Sequence, residues 1–102
     1  MRNETVLIGD LLEDACLTLE ELSRACAVGP DWVIEHVREG FLSVPGETPA
    51  AWRFGSRELA RVRQMLRIER DFEAVPELAA LVADLLEEVA DLRARLRRAG
   101  LD

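Results

Sequence analysis

The chain lacks lysine and contains one histidine and two cysteines among its 102 residues. A tetrahedral metal site normally takes four Cys or His ligands, and Cys16, Cys26 and His36 supply only three. The two cysteines lie ten positions apart and form no CxxC motif. Buried reduced thiols are therefore favoured over a single disulfide, which stays the alternative. We expect no metal site and no cofactor.

Long apolar runs are also missing. No segment approaches the roughly eighteen consecutive apolar residues that indicate a membrane-spanning helix. The N-terminus has no basic stretch followed by a long apolar one, as an export signal would. The sequence therefore predicts a cytoplasmic protein without a membrane segment.

The residue patterns that carry catalysis are missing as well. No Ser or Cys nucleophile pattern accompanies His36. The neighbouring carboxylates Glu20 and Glu21 point to different faces of a helix, which does not suit acid–base chemistry. There is no Gly-rich loop that would bind a phosphate group. We therefore expect a binding protein rather than an enzyme.

Acidic charge is abundant and unevenly distributed. The net charge is −7, and apolar residues make up 49% of the chain, enough for the core of one domain. Residues 1–50 hold ten acidic residues and three Arg, whereas residues 51–102 hold ten of each. The acidic excess in the first half repels phosphates of nucleic acids and lipids and attracts basic protein surfaces.

The first third of the chain predicts a strand and then a helix. Glu4–Ile8 is rich in β-branched residues and is predicted to form a short strand. Leu11–Cys16 fits either a helical turn or a second strand. Thr18 and Glu21 form a capping box that opens a helix over Leu19–Ala27. Its predicted buried stripe is Leu19, Leu22 and Cys26, while Ser23 is expected to face water.

The next segment predicts a second helix after a tight turn. Gly29 can take the left-handed conformation that ends a helix, and Pro30 suits the first position of the next one. That helix is predicted over Pro30–Glu39, and Gly40 is a natural stop. Two short helices joined by a turn of three residues form a helix-turn-helix pattern.

Residues 41–55 contain Pro and Gly in two clusters and predict a β-hairpin, or wing. Trp52 and Phe54 are two positions apart, so they are expected on one face of it, packed on the helices. Ser56 then caps a helix that reaches about Phe72. A break ends at Pro76, and a last helix follows over about 77–99.

The last helix carries a regular apolar seam. Its members alternate in steps of four and three, as in the a and d positions of a coiled coil: Leu78, Val82, Leu85, Val89, Leu92 and Leu96. Each large aliphatic left in water forgoes about 1.5–3 kcal/mol of burial. The seam is therefore expected to pack on the preceding helix, on a second copy, or on a partner protein.

Charges are sorted along this helix too. Residues 71–91 hold seven acidic residues and no basic one, and residues 92–98 hold four Arg and no acid. This order suits the helix dipole. It equally suits antiparallel pairing of two copies, because Glu77 and Asp84 of one would lie near Arg95 and Arg98 of the other.

Acidic residues recur every four positions along the second helix, at Asp31, Glu35 and Glu39. Trp32 and His36 are also four apart and adjoin that face. The acidic residues form either a solvated face or a docking surface for a basic helix. Trp32 is either an interface anchor or a core residue packed on the wing. We treat all five as candidate partner-binding residues.

The order of helix, turn, helix, wing and two further helices resembles the MerR-type winged helix-turn-helix over residues 18–98. The residues that fit the family pattern of turn and recognition helix are Val28, Pro30, Val33, Arg38, Gly40 and Phe41. Trp52-Arg53 fits the wing. The resemblance implies a mainly α fold with a small hairpin, a head over residues 1–55 and a two-helix arm over residues 56–102.

Four residues that differ from the family pattern bear on whether the protein binds DNA. Where DNA-binding relatives carry basic or hydrogen-bonding groups, this chain has Asp31, Trp32, Ile34 and Glu39. Three acids and one Arg in the second helix would meet DNA phosphates with net negative charge. A MerR-like DNA-binding regulator is therefore the alternative, supported by Arg53 and Arg57 near the wing.

A further resemblance is to the chaperone modulator CbpM family, a MerR-like branch. It rests on an ordered set: strand Thr5–Ile8, acidic helix Asp31–Glu39, Trp52-Arg-Phe54, Pro76 and the Leu-rich tail Leu78–Leu96. The resemblance implies binding to the J-domain of a DnaJ/CbpA-like co-chaperone, which would then fail to stimulate its Hsp70. A J-domain presents a basic helix, so an acidic competitor suits it.

Overall fold

A computed structural model describes residues 16–101. Over this range the chain is mainly helical, as predicted, with α1 Leu19–Cys26, α2 Pro30–Arg38, α3 Ser56–Phe72 and α4 Pro76–Arg98. The predicted strand Glu4–Ile8 and all but the last residue of the ambiguous segment 11–16 lie outside the described residues. None of the helices in the described range combines the length and apolar character needed to cross a membrane.

The chain divides into two compact units, with the boundary between Arg63 and Gln64 inside α3. The division into a head over residues 1–55 and an arm over residues 56–102 stays a prediction. The first unit contains α1, α2 and the start of α3. The second contains the rest of α3 and the whole of α4.

Helix α1 begins at the predicted capping box. The Thr18 hydroxyl accepts a hydrogen bond from the Glu21 backbone N–H at 3.2 Å, and the Glu21 carboxylate accepts one from the Thr18 N–H at 2.9 Å. Two of the amides left over at the start of a helix are thereby satisfied. Leu19 and Leu22 are buried as predicted, and Cys26 is half-buried.

Two expectations for the first helices were wrong. Ser23 is buried, at 6% exposure, rather than facing water. The left-handed residue after α1 is Ala27, with φ 55°, and not Gly29. Gly29 instead takes an extended conformation, with φ −71°, and is the N-cap residue of α2, immediately before Pro30. The turn between α1 and α2 therefore begins at Ala27, earlier than the position of Gly29 suggested.

The predicted hairpin over residues 41–55 is not formed. The segment contains a short 3-10 helix, Pro49–Ala51, and its only β-type pairing within the described residues joins Leu17 and Phe54. Their backbones exchange two hydrogen bonds of 2.8 Å. Prolines 45 and 49 have no N–H to donate, which favours an open loop over a regular ladder.

The expected aromatic pair of the wing is present in this loop. Trp52 and Phe54 are both buried, and their rings meet edge to face at 6.2 Å. The first unit buries further apolar side chains beside them: Val33, Leu42, Leu59 and Val62. Gly46 has φ +117°, and a Cβ there would lie 2.8 Å from the Ala51 carbonyl oxygen. Only glycine fits this tight approach.

The side of α4 that is buried in the second unit is lined by small residues. The fully or nearly buried positions of the helix are alanines, namely Ala79, Ala80 and Ala83. The seam is largely exposed, with Leu85 at 57% and Leu96 at 45%. At about 100° per residue the alanines lie on roughly the opposite side of the helix from the seam. Within the described residues the seam therefore does not form a core with α3.

The cysteine expectation also needs correction. Neither of the two described cysteines is in a disulfide. Cys16 is exposed rather than buried, and Cys26 is half-buried. Residues 16–101 hold no group of three or more His, Cys, Asp or Glu side chains placed to bind a metal ion.

Candidate functional site: an acidic helix surface

Helix α2 and the residue that follows it present three carboxylates to solvent. Asp31, Glu35 and Glu39 follow each other in steps of four and all are exposed. Residues four apart lie on the same side of a helix, so they form one strip that we call the acidic face. Arg38 is the only Arg of α2 and is also exposed. Three acids against one Arg leave the segment net negative.

Trp32 is predicted to be either an interface anchor or a core residue packed on the wing, and in the structure it is partly packed and partly accessible. The residue is half-buried, and its indole stacks on the imidazole of His36 with ring centroids 3.6 Å apart and planes inclined by 20°. His36 in turn meets the edge of Phe41 at 6.0 Å. Trp32 thus keeps an accessible part beside the acidic face while its other part is packed.

His36 is held firmly in this stack. It is buried, at 5% exposure, and its Nδ1 lies 2.7 Å from the Trp32 carbonyl oxygen. A carbonyl oxygen only accepts hydrogen bonds, so Nδ1 donates in this contact. The sequence placed His36 among residues that touch a partner. In the structure it is largely enclosed and contacts the ring of Trp32.

The end of α2 is fixed by backbone bonds and by one arginine. Gly40 takes φ 87°, and the Phe41 N–H donates to the His36 carbonyl at 2.9 Å, which closes the helix. The Phe41 carbonyl then accepts from Nε of Arg61, 2.8 Å away. The contact joins residues twenty positions apart, and no local pattern indicates it.

The other arginines considered for DNA contact differ in their surroundings. Arg53 is exposed, but its Nη1 donates to two backbone carbonyls, those of Trp52 at 2.7 Å and Ala50 at 3.2 Å. Its guanidinium therefore helps to hold the loop. Arg57 is exposed in the first turn of α3.

The short turn between α1 and α2 and the helices that follow define the helix-turn-helix class of the MerR type. The family model described as MerR HTH family regulatory protein matches residues 17–99. This match covers most of the chain and includes the acidic face.

Proteins of similar sequence identify the family within this class. Chaperone modulatory protein CbpM of Pseudomonas entomophila (strain L48) is 35% identical over 77 residues, 76% of each chain. CbpM of Coxiella burnetii (strain Dugway 5J108-111) is 31% identical over 81 residues, 79% of this chain and 76% of the relative. CbpM of Pseudomonas putida (strain W619) is 30% identical over 77 residues, 76% of each. This chain belongs to the CbpM family of MerR-like proteins. No solved structure matched it.

Proposed function

We propose that this protein inhibits a DnaJ/CbpA-like co-chaperone by binding its J-domain through the acidic face. A masked J-domain would no longer stimulate Hsp70. The relatives' name, chaperone modulatory protein, supports a chaperone-modulating role. The observation that carries the proposal is the exposed acidic face beside a partly exposed Trp32. The proposed setting is the cytoplasm, and the role requires no catalysis.

Charge supplies steering and specificity in this proposal. A basic helix approaching the acidic face gains from complementary potential, which raises the association rate and disfavours acidic competitors. DNA would meet the same face with like charge, because each phosphate is negative. The sign of the exposed charge on α2 thus favours a cationic polypeptide over a nucleic acid.

Trp32 supplies the apolar part of the interface. Indoles are enriched among the residues that dominate binding energy, particularly when they are held in place before binding. Stacking on buried His36 restricts the Trp32 ring. Little side-chain entropy then remains to be lost when the partner covers it.

Charge reversal on the acidic face tests the proposal. We expect Asp31→Arg and Glu35→Arg each to weaken binding of a purified J-domain by roughly tenfold or more, because the partner's cations would meet a cation. Isothermal titration calorimetry measures the dissociation constant. Added salt should weaken binding of the unaltered protein.

Glu47→Arg is the matched control, since Glu47 is exposed in the loop and the net charge changes equally. It should change the affinity by less than about threefold if binding is local rather than a response to net charge. Equal losses for Glu47→Arg and Glu35→Arg would contradict docking on the acidic face.

A MerR-like DNA-binding regulator is the second candidate. The family model's description and exposed Arg57 favour it. Salt-sensitive binding to duplex DNA that Arg57→Ala weakens, together with no binding to a J-domain, would support this candidate and overturn the first.

A further inference from the structure

The single arginine of α2 lies on the same side of the helix as the acidic face. Arg38 follows Asp31 by seven positions and Glu35 by three. At about 100° per residue, seven positions return to within about 20° of the starting direction. Arg38 is the last residue of α2 and lies about 10 Å along the helix axis from Asp31. The exposed side of α2 is therefore negative over most of its length and carries one cation at its C-terminal end.

The fold of the described residues makes no ion pair with this cation. Glu35 is the one carboxylate three or four positions from Arg38, and within residues 16–101 no salt bridge joins the two. The helix dipole favours a cation at a C-terminus. The same dipole disfavours Glu39, which follows Arg38 directly, so the dipole does not set the charges of this end. The guanidinium is exposed and can be reached by a partner.

We propose that Arg38 binds a carboxylate of the J-domain that docks on the acidic face. The inference rests on the proposed function and specifies the partner further. A guanidinium can donate two parallel hydrogen bonds to one carboxylate, which adds geometric specificity to the attraction. A partner helix that carried only cations would bring one of them against Arg38 and lose affinity. The favoured partner surface therefore has one acidic residue beside its basic ones.

The position of Arg38 also selects one orientation of the partner. Trp32 lies about 120° around the helix from Arg38, so the two flank opposite edges of the exposed side, with Asp31 and Glu35 between them. A partner turned end for end would place a cation against Arg38 and its carboxylate against Asp31. Both contacts would be repulsive, and repulsion in the wrong pose is a source of specificity.

The sign of the effect of Arg38→Gln distinguishes this proposal from simple charge attraction. If Arg38 met only cations, removal of its charge would tighten the binding of a basic partner. We instead expect Arg38→Gln to weaken J-domain binding by about tenfold in calorimetry, because a charged hydrogen bond is lost. Arg38→Lys keeps the charge without the paired donors and should lose less affinity than Arg38→Gln.

Arg24→Gln is the matched control, since Arg24 is exposed on α1 and the net charge changes equally. It should leave the affinity within about twofold of that of the unaltered protein. Arg38 is itself exposed, so circular dichroism should show unchanged helix content in both variants. Equal weakening by Arg24→Gln and Arg38→Gln would overturn the proposal, because the loss would not depend on the position of the arginine.

A double-mutant cycle identifies the partner's carboxylate. Each exposed carboxylate of the J-domain is replaced by its amide, and one replacement should lose most of its effect in the presence of Arg38→Gln. Coupling with none of them would overturn the proposal. So would unchanged or tighter binding by Arg38→Gln while Asp31→Arg still weakens it, a result that leaves docking on the acidic face intact. Failure of the unaltered protein to bind any J-domain would refute the proposed function and this inference together.

Discussion

At the scale of single residues, Ala27 takes a backbone conformation that suits glycine better. Its φ of 55° is left-handed, which costs an L-residue about 1–2 kcal/mol. The same closing pattern of backbone bonds ends α2 at Gly40 and α4 at Gly100, where φ is also positive. The folded protein is therefore less stable with alanine at the end of α1 than it would be with glycine there.

We expect Ala27→Gly to raise the free energy of unfolding by about 0.5–1 kcal/mol, after allowing for the greater freedom of glycine in the unfolded chain. Urea denaturation measures it. Gly40→Ala is the converse control and should lower stability by about 1 kcal/mol. A Cβ at Gly40 would meet no atom within 4 Å, so its cost is a backbone cost alone. If Ala27→Gly lowered the free energy of unfolding, as Gly40→Ala is expected to do, the left-handed conformation of Ala27 would not be a source of lost stability.

Arg61 is the second residue that merits a specific test. Its Nε donates to the Phe41 carbonyl just after α2, and its side chain is half-buried. We expect Arg61→Ala to lower the free energy of unfolding by about 1–2 kcal/mol, as for loss of a charged hydrogen bond. Thermal and urea denaturation measure the loss.

Arg57→Ala serves as the control for that test, because Arg57 is exposed one turn earlier on the same helix. Its removal should change stability by no more than about 0.5 kcal/mol. If both substitutions had the same small effect, the contact with Phe41 would not stabilise the end of α2.

At the scale of elements, local signals predicted the helices and missed the pairing. The Thr18–Glu21 capping box and Pro30 fix their helices through residues only a few positions away, and both starts are confirmed. The bridge from Leu17 to Phe54 joins positions far apart in the chain. No short-range pattern specifies such a pairing, so a hairpin within residues 41–55 was predicted instead.

The candidate site also combines features that local sequence patterns predict with features that depend on long-range packing. The acidic face follows from a spacing of four and could be predicted from the sequence. The stack of Trp32 on His36 required the burial of His36, which depends on how the whole unit packs. A sequence shows that two rings lie four apart on a helix, but not which of them turns inward.

Helix α4 shows the limit of hydrophobicity as a guide. The seam is predicted to pack on the preceding helix, on a second copy or on a partner protein, and within the described chain the buried side of α4 is instead made of alanines. Small side chains allow close packing. In a sequence, however, a series of alanines is a weaker signal of a buried helix face than a series of leucines. The leucines stay largely exposed in the part of the chain that the structure describes.

At the scale of the whole molecule, the proposed docking of a J-domain should weaken as salt is added, because it depends on attraction of unlike charges. Raising ionic strength from low to physiological shortens the screening length to about 8 Å. Calorimetry with the J-domain at the two ionic strengths measures the change in the dissociation constant, and an affinity that does not depend on salt would contradict docking by charge.

The two-sided character of α4 has a consequence for how this protein can vary. Alanines on one side hold the helix inside its own unit, and leucines on the other contribute little to that unit. Substitutions among the exposed leucines should therefore cost the folded chain little stability, whereas enlarging a buried alanine strains its packing. The two sides of one helix thus differ in how freely their residues can be replaced.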